Sequence, residues 1–537
     1  MRKMLKRLMS LALAACIILF AFSGCKKDDA QANNESNTKS TQSKTTAKTT
    51  RGQGASASPR STAQAGTANA SNNTGSNPNT TVDSASDGSK TETDVTTDGG
   101  QQVDEATSEV IESTTKIDDI DLKGRVLKIS IWADSQIIQE KPDDPLKTTK
   151  YKRLKWTEEK FNCKYEWEIL PSGTYNDILI SMMMAGSCDY DICLLTKEKA
   201  LGIFSAYKLI APIDEYIDKE GPLWNDEYLG CKLNLFNGRL YGLYEADIGQ
   251  PLGIWWRREM FQREGIPDIQ DINPWTWNEF IEIAMRLTQD TNGDGIIDQW
   301  ALATDPKSYL GEILFTTNAV EYITRDENGR FVVTIYKDRN AINALQFLSD
   351  LYNVYGVVTP LEQSTSSKWI NLFKSGKAAM TVHYAWYGAT WKNNGLTNLG
   401  WRHFPFGPDN KEGAYNILTG GNFYTFPATT DNIDVKVKVF LYTIGIWDDS
   451  MPYSMPYDQI ASSVKQKIFY EERDHSALDY INARLVKNYA KIFPDLPTNV
   501  NNEIFMKVVN KETSISSAIE STKNLLQECV DAVQDKW

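Results

Sequence analysis

Two groups of side chains in this 537-residue sequence have types and spacing that could do chemistry. The first is aromatic: His383-Tyr384-Ala385-Trp386-Tyr387, with Trp255-Trp256, Trp275 and Trp277, puts large flat rings in segments that also carry amide and carboxylate groups. Such surroundings suit a sugar, whose C–H face stacks on a ring while its hydroxyls exchange hydrogen bonds. The second is Asp290-Thr291-Asn292-Gly293-Asp294-Gly295-Ile296-Ile297-Asp298. Oxygen side chains at loop positions 1, 3, 5 and 9, a glycine at 6 for the sharp turn and a carbonyl at 7 match a calcium loop of EF-hand type. Position 12, where a bidentate Glu belongs, is Ala301. The expected set for a structural Ca2+ is therefore Asp290, Asn292, Asp294, Ile296 and Asp298, completed by Gln299 or by a carboxylate such as Asp305 or Glu312. The alternative is a polar turn between a helix and a strand.

Catalytic patterns are mostly missing. There is no H-E-x-x-H, Walker loop, G-x-S-x-G or Rossmann glycine fingerprint. Ser462-Ser463-Val464-Lys465 fits S-x-x-K without the companion motifs of that chemistry. Three histidines leave little for His-based metal or triad chemistry. Paired carboxylates for glycoside hydrolysis are set by tertiary structure, so a cell-surface glycoside hydrolase stays open as an alternative. A net charge of −13, without a Lys/Arg cluster, argues against nucleic acid as a partner. Beyond Cys25, the cysteines Cys163, Cys188, Cys193, Cys231 and Cys529 are odd in number and show no C-x-x-C spacing, and read as small apolar residues.

The elements that must position these groups follow from periodicity. Leu127, Ile129 and Ile131 alternate with polar residues, as do Tyr165, Trp167 and Ile169, and Tyr190 to Leu195 is a mostly apolar run; these predict strands. Tyr175, Ile178, Leu179, Met182 and Met183 fall on one helical face ahead of Gly186. Strand, helix and strand make a βαβ unit, so the fold class is α/β with mixed, mainly parallel sheets. Thr276-Trp277-Asn278-Glu279 is a capping box that starts a helix over 276–288, a second helix is expected over 341–352, and a long one closes the chain through Ile515, Ile519, Leu526, Cys529 and Val533.

The N-terminus reads as an export signal over 1–24: basic residues, then the apolar run Leu8–Phe22. Phe22-Ser23-Gly24-Cys25 resembles the lipobox of bacterial lipoproteins, which implies that Cys25 is lipidated and becomes the mature N-terminus. Residues 26–115 hold 31 Ser or Thr and no aromatic, too little apolar surface to offset ordering entropy, so 25–117 is expected to be a disordered tether.

Several ordered segments together resemble the extracellular solute-binding proteins of sugar ABC transporters. They are Ala185-Gly186 before Asp189-Tyr190-Asp191-Ile192; Asn237-Gly238-Arg239-Leu240-Tyr241-Gly242-Leu243; Trp255-Trp256-Arg257-Arg258-Glu259-Met260-Phe261; Thr276 to Phe280; Phe373-Lys374-Ser375-Gly376-Lys377-Ala378-Ala379-Met380; and Gly420-Gly421-Asn422. The resemblance implies a type II periplasmic-binding-protein-like fold, with lobe one over 118–247 and 408–446, lobe two over 248–407 and 447–537, and a hinged cleft between them. It implies a ligand site of Trp386, Tyr384, Trp132, Asp134, Tyr309, Gly420, Gly421, Asn422, Glu245 and Asp247, with Trp386 as the stacking ring. Tyr244 stands where the family usually has Pro, and Arg257 where it usually has Asn. The expected function is that of a monomeric, lipid-anchored receptor on the outer face of the cell membrane that delivers an oligosaccharide to a permease and is not an enzyme. A peptide or another solute is the alternative cargo.

Overall fold

Alternating apolar residues build the first strand, β1 (Arg125–Ile131), and Leu127, Ile129 and Ile131 on it are fully buried. The computed structural model describes residues 116–537 apart from 225–233, 245–247, 249, 365–366, 417–420 and 487–488. The signal segment, Cys25 and nearly all of the 25–117 tether lie outside the described residues, as do Glu245, Asp247, Gly420 and Cys231.

After β1 the chain enters α1 (Pro145–Lys160), capped by the Asp144 carboxylate, which accepts the Lys147 N–H at 3.1 Å, with Pro145 at the first helical position. It returns as β2 (Cys163–Ile169), parallel to β1. The expected helix follows as α2 (Tyr175–Met184), and Gly186, at φ +66°, turns the chain toward β3 (Ile192–Thr196). Strand β3 does not pair with β2. It joins the other side of β1, again parallel. β4 (Leu243–Tyr244) forms the far edge of this sheet, and β12 (Asn422–Thr425), arriving from far downstream, lies between β3 and β4, antiparallel to both, giving the order β2-β1-β3-β12-β4.

A second sheet has the order β10-β5-β9-β6, from β5 (Leu252–Arg257), β6 (Trp300–Leu302), β9 (Ala378–Tyr384) and β10 (Leu399–Arg402). Here β9 runs antiparallel to β5 and parallel to β6. Two ribbons complete the pairing, β7 (Ile323–Arg325) with β8 (Phe331–Val333), and β11 (Tyr415–Asn416) with β13 (Leu485–Val486). The sheets are thus mixed: the three-strand core of the first is parallel because helices cross over between its strands, whereas antiparallel pairs form where later segments return.

The capping box forms as expected and opens α3 (Trp277–Leu287), where the Thr276 N–H donates to Glu279 Oε2 at 3.1 Å. Trp277 then stacks on Phe347 of α4 (Arg339–Asn353), centroids 4.1 Å apart. Helix α5 (Ile433–Ile444) covers the first sheet, where the Tyr165 and Thr443 hydroxyls meet at 2.6 Å. Helices α6 (Tyr457–Ile468) and α7 (Glu472–Asn482) cover the second, sharing one apolar cluster with Trp255, Trp391 and Trp401. The closing helix α8 (Ile515–Gln534) reaches β8, where Gln534 Oε1 and Gln527 Oε1 accept the Phe331 and Val333 N–H groups. No described helix is long and apolar enough to cross a membrane.

A buried ion pair fastens α7 to the second sheet. Arg258, directly after β5, donates to Asp474 at 2.9 Å and to Asp268 at 2.8 Å, and Asp474 has no exposed surface. Asp474 also accepts from Gln270 Nε2 and the Trp401 N–H. Truncating one member of such a pair strands the other in low dielectric. Asp474→Ala should therefore lower unfolding stability by about 3 kcal/mol or more in a denaturant titration; a loss under about 1 kcal/mol would show that the pair does not hold α7 in place.

Candidate functional site

The two sheets present their strand ends to one cavity of about 260 Å³, lined by Thr196, Glu198, Gln250, Tyr384, Trp386, Gly421 and Asn422. Thr196 ends β3 and Asn422, its cross-strand partner, begins β12. Tyr384 ends β9 on the other sheet, and Trp386 follows in the turn 385–387. Gln250 lies just ahead of β5. Strand termini from two α/β layers facing one crevice are the usual place for a ligand in such folds.

The aromatic wall is held from behind. Trp386 is the one exposed tryptophan of the chain's fifteen, with 40 % of its surface open. Its ring lies nearly parallel to that of Tyr384, centroids 6.2 Å apart and 12° between planes. Tyr309 meets Tyr384 edge-on from behind at 5.9 Å. His383 stacks on Tyr387 at 3.7 Å, and its Nδ1 accepts the Tyr384 N–H at 2.9 Å. The backbone is pinned too, since the Trp255 indole donates to the Tyr384 carbonyl at 3.2 Å and the Ala385 N–H to the Pro251 carbonyl at 2.9 Å.

On the opposite wall the backbone does the positioning. Gly421 sits at φ +89°, and a Cβ there would come within 2.2 Å of the Tyr244 ring, so only glycine fits. Its carbonyl accepts the Lys197 N–H at 3.1 Å, and the Lys197 ammonium lies 4.8 Å from the Tyr244 ring centroid. Near Tyr384, the Lys491 ammonium is ion-paired with Glu312. Burial pulls this lysine down, but Glu312, Tyr384 and Glu198 together outweigh it and hold Lys491 above its usual range. A fixed cation thus stands close to one polar and one aromatic wall residue.

Of the residues named from the sequence, Trp386, Tyr384, Gly421 and Asn422 come together on this cavity. Tyr309 stands behind it as the support of Tyr384. Trp132 is half-buried against Tyr175, ring centroids 5.2 Å apart, and Asp134 is exposed at the start of the turn 134–136. Neither lines this cavity, because the loop after β1 turns toward α1. Thr196, Glu198, Gln250 and the supporting Lys491 were not named; the first two stand at a strand's carboxyl end, a positional signal available once β3 is recognised.

The loop 290–298 closes on itself. Asp290 accepts the N–H groups of Gly293 at 2.7 Å and Gly295 at 2.6 Å, Asp294 accepts that of Ile296 at 2.8 Å, and Asp298 accepts from Thr291 at 2.8 Å. These bonds, that of Gly295 foremost for Asp290 and that of Thr291 for Asp298, hold both carboxyls below the usual carboxylate range. Asn292 accepts the Asp294 N–H at 2.9 Å, and Ile296 is exposed. Gln299 is corrected as a ligand, since its buried amide donates to the Leu287 carbonyl at 2.9 Å and accepts from Arg263. Asp305 caps the turn 306–310 and Glu312 pairs with Lys491, so neither supplies the missing position. Among the described residues no three His, Cys, Asp or Glu side chains gather as a metal-binding group. The residues present do not form a preassembled calcium shell. Ser462 and Lys465 are also apart in their bonding: Gln466 donates to Ser462, and Lys465 pairs with Asp479.

A family model described as bacterial extracellular solute-binding protein matches residues 147–442. Solved structures share the fold at low identity. An ABC substrate-binding protein from Listeria monocytogenes in complex with cycloalternan is 14 % identical with a TM-score of 0.57, over 76 % of this chain and 99 % of that one. A solute-binding protein from Thermotoga lettingae bound with α-D-tagatose is 17 % identical with a TM-score of 0.55, over 76 % and 100 %. The maltose/maltodextrin-binding domain from Bdellovibrio bacteriovorus bound to maltotriose is 15 % identical with a TM-score of 0.53, over 76 % and 100 %. No curated protein matches.

Two buried imidazoles, His383 behind the aromatic wall and His403 stacked between Phe406 and Tyr480, resist protonation. Burial pushes His383 down to about 3, and burial with Arg402 beside it does the same for His403. Unfolded, both titrate near 6.5. Between about pH 6.5 and 3 the unfolded chain therefore binds protons that the native state refuses, and stability rises with pH across that window. Melting temperature should fall steadily from pH 7 to 4.5. In His383→Asn, whose amide oxygen can accept the same N–H, the slope should be shallower by about 1 kcal/mol per pH unit; unchanged slopes would mean that His383 is protonated in the native state.

Proposed function

The chain belongs to the bacterial extracellular solute-binding proteins, whose family model covers more than half of it, and on that premise we propose that it is a receptor that captures a carbohydrate. The observation that carries this reading is the exposed Trp386 ring, backed by Tyr384, at a cavity rimmed by Asn422, Gln250, Thr196 and Glu198. A flat apolar wall with amide, hydroxyl and carboxylate groups around it matches the two faces of a pyranose. Fold neighbours bound to cycloalternan, maltotriose and tagatose are in keeping with it. A preformed wall also loses little freedom on binding, which favours affinity.

The receptor performs no chemistry in this reading. Among the described residues Glu198 is the one carboxylate that lines the cavity, whereas glycoside hydrolysis takes two. Ligand would shift the population toward closed lobes, and the closed form would be handed to permease subunits. The export signal and Cys25 fit a monomer held by lipid on the outer face of the membrane, with the Ser/Thr-rich segment as a tether of about 50 Å root-mean-square reach.

Calcium is a separate proposal, resting on the spacing of Asp290, Asn292, Asp294, Ile296 and Asp298. With so few protein ligands the affinity belongs in the weak range of extracellular sites, about 10⁻⁴–10⁻³ M.

A thermal-shift panel of neutral oligosaccharides should yield a rise of several degrees with one class. Trp386→Ala should weaken that class at least tenfold, about 1.4 kcal/mol, in calorimetric titration; undiminished binding by the folded variant would remove the site assignment. For calcium, a few millimolar should raise the melting temperature of the parent and leave Asp294→Ala unmoved; equal curves with calcium and with chelator would retire the loop as a metal site.

A further inference from the structure

Cys188 stands on the approach to β3 and Cys193 within it, and neither takes part in the carbohydrate site. Both are free thiols. Cys193 is fully buried, and Cys188, half-buried, packs against the same apolar cluster, which also holds Tyr175, Leu179 and Met183 of α2. The two thiols are in hydrogen-bonding contact with each other. The other described cysteines have partners of a different kind: Cys163 lies against the Thr157 carbonyl, and Cys529 accepts from Asn499 Nδ2 at 3.3 Å.

Cys193 is held in place by the sheet. Its strand is paired with β1 on one side and β12 on the other, and Thr425 Oγ1 donates to the Cys193 carbonyl at 2.8 Å. Cys188 is on the yielding side. Gly186, Ser187 and Asp189 around it are exposed, and Gly186 sits at φ +66°. The turn is tied at its two ends, where the Ser187 N–H donates to the Met182 carbonyl and the Asp191 N–H to the Lys128 carbonyl, both at 2.9 Å. Bringing two sulfurs already in contact to the bonding distance of about 2.05 Å therefore moves an exposed turn and leaves the sheet as it is. The two thiols also differ in reactivity. Contact with the Cys193 thiol, helped by the Tyr190 N–H, holds Cys188 below the usual thiol range against burial and the charges of Asp189 and Asp191. Burial first, and then Cys188, push Cys193 well above that range. Cys188 is thus the accessible nucleophile, with Cys193 as the thiol behind it.

We propose that Cys188 and Cys193 are a disulfide-forming pair, oxidised once the protein is outside the cell, and that the bridge fastens the turn 186–191 to the strand that carries Thr196 to the ligand cavity. The family is extracellular, and disulfides persist in oxidising surroundings of that kind. The oxidant is itself a disulfide, enzyme-borne or of low molecular weight. The Cys188 thiolate attacks one of its sulfurs, which forms a mixed disulfide and expels the other sulfur as a thiolate; Cys193 then attacks the Cys188 sulfur and displaces the second. The protein gives up two electrons and two protons, and the oxidant leaves as two thiols. This inference needs the extracellular location and is independent of the carbohydrate reading.

The test uses the purified whole chain, treated with oxidised glutathione or with a phosphine reductant, then blocked with N-ethylmaleimide in denaturant and cut with trypsin. Residues 165–197 form one tryptic peptide that holds these two cysteines and no other. After oxidation most of this peptide should be two hydrogens lighter than the dithiol and take no maleimide, whereas after reduction it should take two. Cys193→Ser should instead retain one glutathione on Cys188, and Cys188→Ser should retain none. The oxidised parent should melt several degrees above the reduced parent, and Cys188→Ser should show no such difference. A parent peptide that still takes two maleimides after oxidation, that keeps glutathione, or that is joined to another cysteine overturns the pair, and this reading needs no variant to fold. Equal melting in both redox states with the bridge formed overturns the fastening role.

Discussion

The antiparallel pairing of β3 with β12 is the constraint on which the rest depends. Thr425 Oγ1 donates to the Cys193 carbonyl across a separation of 232 residues, and between those two points the chain builds the whole second sheet. Closing so long a loop is entropically costly, and what offsets it is local and specific. Phe423 and Tyr424 are buried in register with Leu195 and Leu194, and Phe423 fits against the bare backbone of Gly242. The φ of Gly421 lets its carbonyl reach Lys197 while the Tyr244 ring lies against it. Every residue that the first sheet offers to the cavity, namely Thr196, Glu198, Gly421 and Asn422, stands at this junction.

The second sheet supplies the opposite kind of wall, and its rigidity has a different source. Tyr384 and Trp386 follow a strand in which all of Ala378–His383 is buried, and the aromatic ring behind them is tied by Trp255, Trp369 and Tyr309. An exposed indole ordinarily gains by burial. Here the backbone bonds at Tyr384 and Ala385 fix the turn so that Trp386 stays outside while fourteen other tryptophans are covered to a greater degree. The exposure is imposed by the fold, which is the condition for a ring to be available to a ligand.

How much of this was legible in the sequence depends on the range of the interaction involved. Periodicity and caps act within a few residues, so β1, α2, the capping box at Thr276 and the closing helix could be read directly. Trp386, Tyr384, Gly421 and Asn422 were reachable only through the family resemblance that their segments carry, which implies their place at a ligand site. The placement of β3 beyond β1, the pairing of β12, and the approach of Glu198 and Gln250 to the same cavity are register facts set between distant segments. The Lys491–Glu312 pair is likewise invisible in sequence, since either residue alone reads as a solvated surface charge. Gln299 failed for the opposite reason: it sits at a plausible loop position, but burial of its amide among Leu287 and Arg263 outweighs the attraction of a distant shell position.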